Sequence, residues 1–221
     1  FSKRCKIFFI FWLIFATNTF SVEKDSIDYY LSKLDEQLLN KDEYEQMKRK
    51  KIQALKGKLA LVLDSETKYE VYGALFNEYQ SYNYDSAFVY ANRMMELALQ
   101  LDDMLKLTDA RLMAAYSCTS AGLFLEAKEL LHAIDSTSLD TAHKLGLYSS
   151  YSKLYLDMAL AIRHDPYERF YYEQSIRYSE LIIEAKGEIE PLGMLQLINI
   201  YRCRQQYDKA IEATQKFLSS V

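Results

Sequence analysis

Two prolines and six glycines in 221 residues are too few to build the turns of an all-β chain. The glycines are isolated, so there is no Gly-rich loop to cradle a phosphate. The three histidines, His132, His143 and His164, are dispersed among charged neighbours and read as surface residues rather than ligands. No CxxC pair, HExxH helix or acidic EF-hand loop occurs. None of Ser117, Ser120, Ser149, Ser150 or Ser152 sits in a GxSxG elbow. With no catalytic constellation, the expectation is a non-catalytic chain with no cofactor and no metal. Cysteine is also scarce. Cys5 lies ahead of an apolar run, while Cys118 and Cys203 lie in apolar helical contexts and are expected as buried free thiols.

Half the residues are hydrophobic and 26% are charged, the balance of a folded globular chain. Tyrosine is abundant, at 19 residues. In a helical array its ring can be buried while its hydroxyl reaches water or a partner. Lys3, Arg4 and Lys6 precede an unbroken apolar run of ten, 7–16. That run is short of the roughly 20 residues that span a bilayer, and it resembles a secretory signal. Thr19-Phe20-Ser21 offers a cleavage site, and an uncleaved membrane anchor is the alternative. The first residue is Phe rather than Met, so the start of the precursor is expected to be missing. Removing 1–21 takes the net charge from −4 to −7. A mildly acidic domain has no general attraction for nucleic acid, and no direct nucleic-acid binding is expected.

What fills the rest is helix periodicity. Ile27, Tyr30, Leu31, Leu34 and Leu38 form one apolar stripe over a helix at 26–39. Asn40 is expected to cap a longer helix at 41–63, with Glu43 completing a capping box. Lys48, Arg49, Lys50, Lys51, Lys56 and Lys58 cluster on that helix. With Asp42, Glu43 and Glu45 one turn earlier and no interleaved aromatics, they read as a solvated face. Helices are then expected at 68–81, 84–101, 104–121, 124–134, 140–163, 167–186, 191–204 and 207–219. Gly122 and Gly187 serve as C-terminal stops, and Asp165 caps a helix that has Pro166 at its first position.

Within these helices a unit recurs four times: a helix, a short turn, then a small residue early in a second helix. The small residues are Ala87, Ala127, Ser175 and Ala210, spaced 40, 48 and 35 residues apart. A methyl or hydroxymethyl there lets two helices cross closely, while larger residues one turn away fill the groove beside it. Periods of this size mark helical-hairpin solenoids, which bind more often than they transform. The terminal helix is amphipathic, whereas arrays usually close on a polar face, so the array is expected to run on past Val221.

The fourth unit resembles a tetratricopeptide repeat. With Pro191 as its first position, Met194, Leu197, Ile198 and Tyr201 fall at the apolar positions of the first helix. Ala210, Thr214 and Phe217 fall at those of the second. The first two units match through Ala87 and Ala127, but carry Glu78 and Cys118 where the family has an aromatic. Residues 22–101 also resemble the amino-terminal extracytoplasmic region of bacterial membrane-bound transcriptional regulators with tetratricopeptide-like repeats. There the repeats act as a sensor module, followed by a transmembrane helix and a cytoplasmic DNA-binding region.

The resemblance implies an all-α, helical-hairpin superhelix with two leading amino-terminal helices. Its expected organisation is a signal or anchor at 1–21, a leading pair at 22–64 and a repeat array at 65–221. It also implies that the first helices line a concave face. Carrying the family's ligand positions onto this chain selects Tyr69, Tyr72, Phe76 and Tyr79 in the first unit. It selects Asp109, Leu112, Tyr116 and Thr119 in the second, and Leu192, Leu195, Asn199 and Arg202 in the fourth. The sharpest groove candidates are Tyr69, Tyr72, Phe76, Tyr79, Tyr116, Asn199 and Arg202, with rings to stack and Arg202 to hold a carboxylate. The competing reading packs the first-unit rings onto the helices at 26–63. The implied function is a sensor or interaction module, periplasmic or on the extracytoplasmic face of the inner membrane. Its partner would be a protein or peptide, with a glycan as second class and a membrane contact through an uncleaved amino terminus. A periplasmic scaffold or adaptor is the alternative.

Overall fold

A computed structural model describes residues 27–220; the apolar run, its flanking residues and Cys5 lie outside the described residues. Among those described there is no strand, and no helix is long and apolar enough to cross a membrane. The chain falls into two compact units, one ending at Gln53 and the other starting at Ala54.

The first unit holds α1 (27–39) and the start of α2 (Lys41–Leu61). Asn40 alone separates them. It does not cap α2 as expected. Its Nδ2 donates back to the Glu36 carbonyl at 3.4 Å, so the side chain closes α1, and its own carbonyl accepts from the Tyr44 N–H. Of the acidic residues ahead of the basic run, Glu45 pairs with Arg49 of the run at 3.4 Å and with Lys41 upstream at 3.7 Å.

The second unit is a run of four antiparallel pairs: α3 (Ser65–Tyr79) with α4 (Tyr84–Gln100), α5 (Met104–Ser120) with α6 (Phe124–His132), α7 (Thr141–Ile162) with α8 (Tyr167–Lys186), and α9 (Pro191–Cys203) with α10 (Tyr207–Ser220). Each pair also packs on the next, and α5 touches α7 directly. The small residue stands at each crossing as expected: Ala87, Ala127 and Ser175 are wholly buried and Ala210 nearly so. Leu131, one turn beyond Ala127, and Met94, two turns beyond Ala87, fill the space beside them, both buried. Cys118 and Cys203 are free and buried.

Three of the turns share one design. Asp102, Gly122 and Gln205 take positive φ of 54°, 80° and 57°. The next N–H then reaches back over the turn, from Asp103 to the Ala98 carbonyl, from Leu123 to Cys118 and from Gln206 to Tyr201, at 2.8–3.0 Å. This is the Schellman closure, and only one of the three uses the glycine that favours it. The α8 start departs from expectation. Pro166, with no N–H to satisfy, occupies the cap position, and the Asp165 carboxylate is taken by Arg169 at 3.0 Å rather than by backbone.

Acidic caps hold the starts of α3, α5 and α7. The Thr67 N–H keeps the Asp64 carboxyl below its ordinary value. The Lys106 ammonium, then its N–H, does so for Asp103, and the His143 N–H, then its ring, for Asp140. Each carboxyl is therefore more readily ionised folded than unfolded. The stabilisation is complete above the unfolded carboxylate range and is lost as pH falls through the lowered folded values. The urea midpoint should accordingly drop below about pH 4. Asp140→Asn, which keeps an acceptor but cannot titrate, should show a shallower drop; an unchanged acid limb would mean the cap is not formed.

One buried group is unmatched. Ser117 on α5 is 1% exposed and its hydroxyl finds no hydrogen-bond partner among the described residues. Removing that orphan should help, so Ser117→Ala is expected to raise unfolding stability by about 1 kcal/mol. A loss of stability on chemical denaturation would reveal a hidden partner.

Candidate functional site

The first helices of the second and third pairs, α5 and α7, run side by side and present one continuous strip. Three contacts across the pair build it. At the amino-terminal end, His143 lies between two carboxylates, with Nδ1 2.8 Å from Asp140 and Nε2 3.4 Å from Asp109. Burial pushes the Asp109 carboxyl up, and His143 opposes that shift. In the middle, Gly146 lets Leu112 lie close, since a Cβ at that glycine would stand 3.2 Å from the Leu112 side chain. At the far end, the Lys153 ammonium sits 5.4 Å from the centroid of the Tyr116 ring and 2.6 Å from Asp157. A cation over an aromatic face, already paired with a carboxylate, can exchange that partner for a ligand carboxylate without moving far.

The seven groove candidates do not converge on one site. Tyr116 is 37% exposed and belongs to the strip just described. Tyr69 and Phe76 do not face a groove. Tyr69 is buried with Met94, Leu107 and Ala110, and its hydroxyl donates to the Lys106 carbonyl at 2.7 Å. Burial pushes its pKa above the ordinary phenol value. Phe76 is buried against Ala87, Ala91 and Ala114. Both therefore fill the joint between the first two pairs. The reason is the register of α3, which turns these positions toward α4 and α5.

Tyr72 and Tyr79 are half-buried and lean on Tyr90 of α4, at centroid separations of 6.0 and 5.6 Å. Tyr79 also stacks on Tyr82, and the Lys56 ammonium lies 5.7 Å from its centroid. Lys56 donates to the Tyr79 hydroxyl oxygen, which favours the ammonium and pushes its pKa up. Asn199 is turned inward, its amide shared among Ser152, Ser175 and Ser179 at 3.1–3.2 Å. Arg202 is exposed on α9.

Sequence reading missed the partners in the strip. Lys153 and Asp157 carry the ordinary i, i+4 signal of a helix pair, but nothing in the sequence ties them to Tyr116. The His143 bridge depends on α5 and α7 lying adjacent, which skips one helix in the chain. Two open hollows lie elsewhere. One, of about 450 Å³, runs between α4 and α6 over Phe88, Met95 and Leu130, with Arg111, Glu126 and Glu129 at its rim. The other, of about 350 Å³, lies beside α8 over Tyr172 and Cys203, edged by Asp165, Glu168 and Glu173. No group of His, Cys, Asp and Glu among the described residues is arranged to hold a metal.

Successive antiparallel pairs, closed by tight turns and crossed at an alanine-sized residue, define a tetratricopeptide-type array, an architecture whose general use is protein–protein interaction. Within that class the chain belongs to the family described as the SusR N-terminal TPR domain, whose profile matches residues 38–221. No curated protein and no solved structure matches the chain.

Proposed function

We propose that this chain is the non-catalytic sensor or interaction module of an exported or membrane-anchored bacterial regulator, acting on the extracytoplasmic side of the inner membrane. Membership of the SusR N-terminal family over 38–221 carries the reading. The basic residues and apolar run at the amino terminus support the location. The ligand surface is the α5–α7 strip, where Tyr116, Lys153 and Asp157 offer an aromatic face and an exchangeable cation. An extended peptide with an acidic side chain or terminus fits it best: the ring takes an apolar side chain and Lys153 the carboxylate.

A periplasmic scaffold or adaptor is the second reading. It is favoured by the hollow between α4 and α6, which would give a second protein its own surface.

A peptide array, with an oligosaccharide array beside it, tests the strip. Peptide hits should weaken about ten-fold on Lys153→Ala and on Tyr116→Ala, with helicity unchanged. Hits insensitive to both substitutions would move the site elsewhere. Hits on the oligosaccharides alone would replace the ligand class.

A further inference from the structure

The helix that opens the described residues carries an exposed apolar seam. Ile27, Leu31, Leu34 and Leu38 are each more than half exposed, so no part of residues 27–53 packs on them. Their spacing is four, three, four, which is the a/d spacing of a coiled coil rather than the broader face of a helix docked on a globular core. With Leu31 and Leu38 at a and Ile27 and Leu34 at d, the flanking columns sort by chemistry. One flank, e, is Asp28 and Asp35 on α1, followed by Asp42 in the first turn of α2 just past Asn40, where Tyr44 of the other column also lies. The other, g, is Tyr30, Gln37 and Tyr44.

These columns choose an occupant. In a parallel pair each g residue meets the following e residue of its partner, setting Tyr30 against Asp35 and Gln37 against Asp42, hydroxyl and amide donors facing carboxylates. The Tyr44 hydroxyl already donates to Gln37 Oε1 at 3.1 Å, which leaves the Gln37 Nε2 to donate outward. An antiparallel pair would instead bring the aspartate columns together. A lipid surface suits the helix poorly. Residues 27–39 carry Asp28, Asp35 and Glu36 against Lys33 alone, a net −2, whereas interfacial helices favour a basic polar face. The helix also lies almost wholly ahead of the family match at 38–221, so it is an addition to the array.

We propose that α1 is a dimerisation helix, pairing in parallel and in register with α1 of a second copy of this chain. Two heptads make a short seam, so the dimer is weak and forms at high local concentration. It would join two arrays in one assembly, and it does not depend on what the α5–α7 strip binds.

Cysteine scanning in the full chain decides it. Leu34 is half exposed, so Leu34→Cys leaves the fold intact, and in a parallel pair it faces its own copy within disulfide reach. Ser32→Cys points away and is the control. Under mild oxidation at tens of micromolar chain, Leu34→Cys should yield about ten times more cross-linked dimer than Ser32→Cys. Adding Leu31→Asp should abolish that excess while the circular dichroism of the array holds. Equal yields at 32 and 34, or none at either, would overturn the proposal. Cross-linking between Ile27→Cys and Leu38→Cys chains in place of Leu34 self-linking would make the pair antiparallel and overturn it too. A third overturning result is a blue-shifted bimane at Leu34→Cys with phosphatidylcholine vesicles and no dimer, which would give the seam to lipid.

Discussion

Replacing Gly193 with alanine is expected to cost about 3 kcal/mol or more, a large share of what an array of this size has to lose. Gly193 is buried in the first turn of α9, under the segment that links α8 to α9. A Cβ built there would fall inside contact distance of the Gly187 carbonyl oxygen and 2.9 Å from its carbonyl carbon. Both obstacles are backbone, so no side-chain tip can swing aside. The segment is pinned as well. The Gly187 N–H donates to the Ile183 carbonyl at 2.6 Å, and Gly187 holds φ at 84°, a region an L side chain rarely adopts. The methyl would therefore push α9 off α8 and loosen the last pair. Chemical denaturation should show the loss, and hydrogen exchange should speed up in α9 and α10 first. Gly57 on α2 supplies the contrast, because nothing lies within 4 Å of its added Cβ. Gly57→Ala should stabilise by about 0.5–1 kcal/mol through helix propensity alone. If both variants melted alike, the 187–190 segment would not lie where it is described.

That contrast also marks how far the sequence can be read. Most helix ends and the stop at Gly122 follow from local rules, because each depends on residues within one turn. Ala87 and Ala127 could be found by period alone. Gly193 could not. Its neighbour is the chain six residues back, brought over it by a loop whose course has no sequence signature. Asn40 and Asp165 show the same limit from the other side. Each has the side chain of an N-cap, but Glu36 and Arg169 lie within reach and engage it instead. For the binding face, the family's ligand positions selected Tyr116, Tyr69 and Phe76 alike and could not separate the exposed ring from the two buried ones. All three carry aromatic rings on a first helix; only the rotation of α3 against α4 and α5 sends two of them inside. Charge partners across helices were invisible for the same reason. His143 meets Asp109 because α5 and α7 are neighbours in space and not in sequence.

Asn199→Leu is expected to cost about 2–3 kcal/mol even though leucine fills a similar volume. Ser152, Ser175 and Ser179 are buried between α7 and α8, where the Ser175 hydroxyl donates to the Ser152 carbonyl at 2.9 Å and Ser152 lies 2.9 Å from Ser179. Ser179 also reaches Gln196 of α9 at 2.9 Å. Asn199 enters this cluster from α9 and places one amide within 3.2 Å of all three hydroxyls. Buried hydroxyls of this kind specify rather than glue: fully partnered they fix one docking of α9, and partly partnered they oppose any docking. Leucine would remove the donor that all three hydroxyls share, leaving each with one fewer partner in a buried cluster. The same reasoning predicts a rescue. With Ser152, Ser175 and Ser179 all changed to Ala, the Asn199→Leu chain has no hydroxyl left to satisfy, and most of the lost stability should return. Urea unfolding of the single, triple and quadruple variants separates this from packing. A quadruple variant no more stable than Asn199→Leu alone would mean that shape, and not hydrogen bonding, holds the last pair on the array.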